Sequence, residues 1–100
     1  MEHLLTINGN KASVSLEGKI YAHDAGIIRD ELLAAIERGV NTITMDLSRL
    51  EYIDSSGLGV LVTIHKHTLD KNGKLVLTGV HGMAAEILKR TRLDKVFHID

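Results

Sequence analysis

Apolar residues follow two rhythms along this chain, every second position in some stretches and every third or fourth in others. Leu5 and Ile7 alternate with Thr6 and Asn8, and Ala12, Val14 and Leu16 alternate with Ser13, Ser15 and Glu17. Asn8-Gly9-Asn10 lies between them and tolerates positive φ, so the pattern predicts an N-terminal hairpin. Gly18 to Asp24 then links to a helix of about 14 residues, with Asp24 as N-cap and Ile28, Leu32, Ala35 and Ile36 on one face. Arg38 followed by Gly39 is its expected stop. Thr42 to Leu47 alternates again and predicts a strand, and Ser48 to Ile53 a short link. Leu58, Leu61, Val62, His65 and Leu69 recur at i, i+3, i+4, i+7 and i+11, the buried stripe expected of a second helix. Lys74 to Thr78 follows as a buried strand. Met83, Ile87 and Leu88 give a third helix its apolar face, and Val96 to Ile99 make a brief last strand.

Strands alternating with helices imply βαβ units and a largely parallel sheet, to which the hairpin adds an antiparallel edge. The expected fold is a single α/β domain over residues 1–100, with a mixed four- to five-stranded sheet and helices packed against it. No repeat or low-complexity tract interrupts it.

Composition narrows the function. The net charge of −1 gives no basic stripe for nucleic acid. The chain has no cysteine, which excludes disulfides, thiolate chemistry and Cys-ligated metals. Its N-terminus lacks a basic segment followed by a long apolar one, and Leu58 to Ile64 is far shorter than the roughly 20 residues a membrane span needs. These features point to a cytoplasmic protein that binds neither nucleic acid nor membrane.

The most distinctive stretch is Asp54-Ser55-Ser56-Gly57-Leu58-Gly59-Val60, where the second helix begins. Asp54 or Ser55 is the candidate N-cap, accepting from a backbone N–H left free in the first turn. A hydroxyl there sits at the positive end of a helix, where an added phosphate finds both N–H donors and a favourable field. The same residues also suit plain capping, with glycines for close packing.

Tyr52-Ile53-Asp54-Ser55-Ser56-Gly57-Leu58-Gly59-Val60-Leu61 resembles the signature of the anti-sigma factor antagonists, the stand-alone STAS domains of bacteria. Leu16 to Ile20, Met45 to Ser48 and Leu93 to Phe97 also look like segments of that family. The resemblance implies that Ser55 is phosphorylated by a partner that is both serine kinase and anti-sigma factor, and that a PP2C-type phosphatase reverses it. Asp54, Ser56, Gly57 and Gly59 are then the motif residues around the phospho-site. The chain itself is no enzyme and needs no cofactor or metal, since the partner contributes ATP and Mg²⁺. The sequence departs from the family at Lys19 and Tyr21, in the loop expected beside the motif. Tyr21 and His23 there, with Leu58, Val60 and Ile64 on the helix, are the expected partner-binding residues. Relatives carry a further helix beyond the position of Asp100, and a homodimer is one expectation where that helix is missing. An alternative within the family is a scaffold subunit of a signalling or transport-linked assembly, without a phosphorylation cycle.

Other chemistries fit less well. His65 and His67 are two apart and point to different faces, and His3, His23, His81 and His98 are scattered, so no metal site is expected. His65 lies on the apolar stripe as a hydrogen-bonded core or boundary residue. No glycine stands two positions before Ser55, as a hydrolase elbow requires, and Val62 occupies the third glycine position of a dinucleotide fingerprint. Asp46 or Asp54 as the phospho-acceptor of a receiver domain lacks an acidic pair after the first strand. Val60, Ile64 and Gly59 fall off the main stripe, so they either pack inside the domain or form an exposed apolar patch for a partner.

Overall fold

A computed structural model describes residues 2–100 of the chain. Over this span the order is β1 (Glu2–Asn8), β2 (Lys11–Ile20), α1 (Ala22–Glu37), β3 (Thr42–Ile53), α2 (Ser55–Asp70), β4 (Lys74–Thr78), α3 (Gly82–Arg90), a short 3₁₀ turn (Leu93–Lys95) and β5 (His98–Ile99). The five strands form one sheet in the order β1-β2-β3-β4-β5. β1 runs antiparallel to β2, and every later pair is parallel. This is the α/β mixed sheet with an N-terminal hairpin that the pattern predicts.

Register explains the core. Ala12 and Val14 lie beside Ile43 and Met45, which lie beside Leu75 and Leu77, so two rows of apolar side chains cross three strands. All six are almost wholly buried, and Ile28, Leu32 and Ile36 of α1 and Leu61 and Ile64 of α2 join them in one core. Alternate residues Ser13, Thr44, Asp46 and Thr78 keep contact with solvent. β2 and the first half of β3 are thus apolar on one side and polar on the other, whereas β4 buries Val76 as well as Leu75 and Leu77.

Several boundaries differ from expectation, each for a local reason. Asp24 does not cap α1. Tyr21 is the N-cap residue, and the Asp24 carboxylate, three positions on, accepts the Tyr21 N–H at 3.4 Å. The link expected over Ser48 to Ile53 is strand, because two register shifts against β2 hide its alternation. Between Leu47 and Leu50, both buried, stand two exposed residues, Ser48 and Arg49, where β3 holds one residue more than its partner. The Asp46 carboxylate spans this bulge by accepting the Ser48 N–H at 2.9 Å, and Arg49 donates to Glu17 at 3.0 Å. In α3 the buried residues are Ala84 and Leu88, whereas Met83 is exposed. Its first turn is pinned to β3 by His81, whose ring donates to the Ser48 carbonyl at 2.8 Å. The last strand is only His98–Ile99, because the chain before it closes the 3₁₀ turn.

The crossing from α2 into β4 leaves no room for a side chain at Gly73. A Cβ there would stand 1.6 Å from the Asn41 carbonyl oxygen, a backbone atom that also accepts the Lys74 N–H at 3.0 Å. Gly73→Ala is expected to cost about 2–3 kcal/mol in urea unfolding, since backbone must move to admit the methyl. The Ser48 N–H and then the Ser48 hydroxyl lower the Asp46 pKa below the usual carboxylate range, with burial opposing them and the Arg49 charge adding to them. The stability this supplies is present above the usual carboxylate pKa and is lost as pH falls through the depressed one. Urea midpoints followed into acid should therefore fall less steeply for Asp46→Asn than for the parent chain.

Candidate functional site

The ends of β2 and β3 lie side by side, Ile20 opposite Ile53, and the motif begins one residue later. Asp54 is the whole connection between β3 and α2. Its N–H donates to the Ile20 carbonyl at 3.3 Å, and its own carbonyl accepts from the Leu58 N–H at 3.1 Å. Its side chain accepts the Gly57 N–H at 3.1 Å, so of the two candidates Asp54 is the cap and Ser55 the first helical residue.

Ser55 and Ser56 are both exposed. Among the described residues neither hydroxyl is hydrogen-bonded, and their N–H groups precede the first intrahelical bond of α2. An incoming anion there meets free donors and the positive end of a 16-residue helix. No base touches either hydroxyl among the described residues, so the arrangement suits a group that is acted upon rather than an activated nucleophile.

The two motif glycines differ. A Cβ on Gly57 would stand 2.3 Å from Ile53 Cγ1 and 3.4 Å from Ile20 Cγ2, so Gly57 lets the helix sit directly on the ends of both strands. A Cβ on Gly59 would meet nothing within 4 Å. Gly59 instead lines a groove of about 460 Å³ between α1 and α2, with Ala22, Gly26 and Arg29 on one wall and Ser56 and Thr63 on the other. Sequence reasoning missed Arg29. It lies far from the motif along the chain and has the pattern of an ordinary solvated helix position.

Of the expected partner-binding residues, Tyr21 is half exposed and rests against Tyr52, two residues before Asp54, with ring centroids 5.5 Å apart. His23 is exposed in the first turn of α1. Leu58 is half-buried against the core. Val60 and Ile64 are buried, at 7% and 0% exposure, and form no exposed apolar patch. The inward face of α2 is Gly57, Val60, Leu61, Ile64 and Thr68, while Leu58, Val62 and His65 lie on its flank and Leu69 is exposed. A hydrophobic pattern misses this face because its last member, Thr68, is polar. Fully buried, Thr68 donates to the carbonyls of Ile64 and His65 at 3.0 and 2.9 Å, which satisfies its hydroxyl inside the core. His65 is a boundary residue packed edge-on against Phe97, but its Nδ1 has no hydrogen-bond partner among the described residues. Among the described residues no three His, Asp or Glu side chains gather as metal ligands.

Residues 4–100 match the family model described as the STAS domain. This chain is a STAS domain of the anti-sigma factor antagonist family. The anti-sigma-B factor antagonist of Bacillus subtilis is 28% identical over 92 residues, covering 92% of this chain and 84% of that protein. A crystal structure from Thermotoga maritima superposes with a TM-score of 0.88 at 25% identity, over 96% of this chain and 83% of that one. The phosphorylated form of the Bacillus cell fate determinant SpoIIAA shares the fold with a TM-score of 0.82 at 20% identity, over 99% of this chain and 91% of that one. Anti-sigma factor antagonists are non-enzymatic regulators, and this STAS domain belongs with them. No helix of the described residues is long and apolar enough to cross a membrane.

The two glycines should respond oppositely to a methyl group. Gly57→Ala is expected to lose about 1–3 kcal/mol of stability by overpacking against buried Ile53. Gly59→Ala is expected to gain about 0.5–1 kcal/mol, since an exposed helix interior favours alanine and nothing stands in its way. Parallel urea titrations of the two variants measure both.

Proposed function

We propose that this STAS domain is a partner-switching antagonist whose charge switch is Ser55. Unphosphorylated, it binds an anti-sigma factor that is also a serine kinase, and so frees a sigma factor. That kinase brings its own ATP and Mg²⁺. Phosphorylation of Ser55 releases the domain, and a PP2C-type phosphatase returns it to the binding state. The cycle runs in the cytoplasm. The observation that carries this reading is an exposed, unengaged hydroxyl one residue past the Asp54 cap, where a transferred phosphoryl group meets free N–H donors. The relative solved in a phosphorylated form supports the same reading by its fold.

The partner surface is set by what surrounds that hydroxyl. Tyr21, half exposed on Tyr52, supplies an aromatic anchor where the family pattern has an acidic residue. His23, the edge of Leu58 and the groove that Gly59 leaves open complete the rim. Lys19, exposed at the end of β2, replaces a second acidic residue. A kinase that recognises this chain therefore presents acidic or neutral groups at those two places. Added phosphate opposes docking in two ways: it brings about −1.5 to −2 charges into the contact, and those charges must be desolvated.

A loss of about 3 kcal/mol lowers affinity more than a hundredfold. Ser55→Ala is expected to bind the kinase whether or not ATP is present, and Ser55→Asp to bind at least tenfold more weakly. Titration calorimetry of both variants measures this, and mass spectrometry after incubation with kinase and ATP should place the phosphate on Ser55. Equal affinities, or no label on Ser55, would instead favour a scaffold subunit that binds partners without a phosphorylation cycle.

A further inference from the structure

The two edges of the sheet are unlike. β5 is only two residues long, too short to template another strand. β1 offers seven residues, paired to β2 without a register shift from Glu2–Glu17 to Asn8–Lys11. Among the described residues its outer edge is open, and β1 contains no proline, lysine or bulge to discourage pairing. Leu4 on this strand is 69% exposed and Ile7 48%.

We propose that β1 is a homodimer interface, pairing antiparallel with β1 of a second copy about a twofold axis at Leu5. That register is the one that uses the whole strand, because Leu5 is the midpoint of Glu2–Asn8. It also preserves the faces. Directly opposed residues share a face, so Leu5, which leans on the core beside Val14, meets Leu5 of the second copy, and the apolar row continues through both molecules. A shift of two residues in either direction would leave residues unpaired at one end of each strand and set Leu5 against Ile7 or His3 of the second copy.

Charge selects the same register. Within one chain Glu2 lies directly opposite Glu17, an unfavourable pair. In the dimer the next positions along that row are Asn8 and then Lys11 of the second copy. Two strand spacings are about 10 Å, a gap that the side chains of Glu2 and Lys11 span together over the short Asn8. The twofold repeats this match at the other end. The pairing closes on itself, since it consumes the one long edge of each copy and leaves only β5 at the margins of a ten-stranded sheet. β1 of the second copy runs the opposite way, so the two Ser55 sites lie at opposite ends of that sheet and both stay open.

Sedimentation velocity of the full chain across a concentration series into the high-micromolar range tests this. The expected result is a species of twice the chain mass, with amide exchange slowed in β1. Leu4→Lys sets two cations diagonally across the axis and should leave monomer with an unchanged far-UV spectrum. Glu2→Lys opposes Lys11 of the second copy at both ends and should raise the dimer dissociation constant about tenfold. Adding Lys11→Glu to Glu2→Lys should restore it. A monomer at every concentration would overturn the proposal, as would a dimer whose mass survives both Leu4→Lys and Glu2→Lys.

Discussion

Contact between the bare backbone of Gly57 and the side chain of Ile53 sets the geometry of the motif. Because no Cβ intervenes, the first turn of α2 rests on the ends of β2 and β3, and a single residue suffices to turn strand into helix. That residue must satisfy the helix start and the strand end at once. Asp54 does so with its N–H on Ile20, its carbonyl on Leu58 and its carboxylate on Gly57. With the cap fixed by three bonds, Leu61 and Ile64 point into the core and the two serines point out. Exposure of the serines and burial of the face beneath them are two results of one docking.

Much of this was legible in the chain. The hairpin shows in strict alternation around Asn8-Gly9-Asn10, α1 in its apolar spacing and Arg38-Gly39 stop, and the cap in an aspartate placed just ahead of a helical run. What escaped has identifiable causes. Two extra residues in β3 erase its period of two, so a twelve-residue strand resembles a strand followed by a loop. The inward face of α2 includes Thr68, a residue that a hydrophobicity pattern assigns to solvent, and its hydroxyl is satisfied by backbone carbonyls that no spacing rule displays. The apolar Leu58–Leu69 row then competes for the role of core face, and only packing decides between them. In the groove, Arg29 and Gly59 come from separate helices, and their meeting depends on how α1 and α2 lie together.

The paired glycines illustrate a wider point about motifs. Gly57 is small because the protein itself occupies the space, whereas Gly59 is small where the protein leaves space empty. The first serves the fold alone. The second has no internal reason to lack a side chain, so its meaning must be sought outside the molecule, in what comes to rest between α1 and α2. A sequence signature gives both residues equal weight, and only the surroundings of each separate architecture from recognition.

Strand order in this sheet repeats the order in which the strands occur along the chain. Every β-strand pairs with the one made just before it, and no later segment must thread between two already joined. Loop-closure entropy is then spent over short separations, the condition under which small domains fold fast. A nascent chain emerging N-terminus first can add each βα unit onto a sheet already begun, without waiting for a distant strand. The same connectivity makes the 3₁₀ turn and β5 the last of these elements to join the sheet, so a delay in making them would leave only its final edge unfinished.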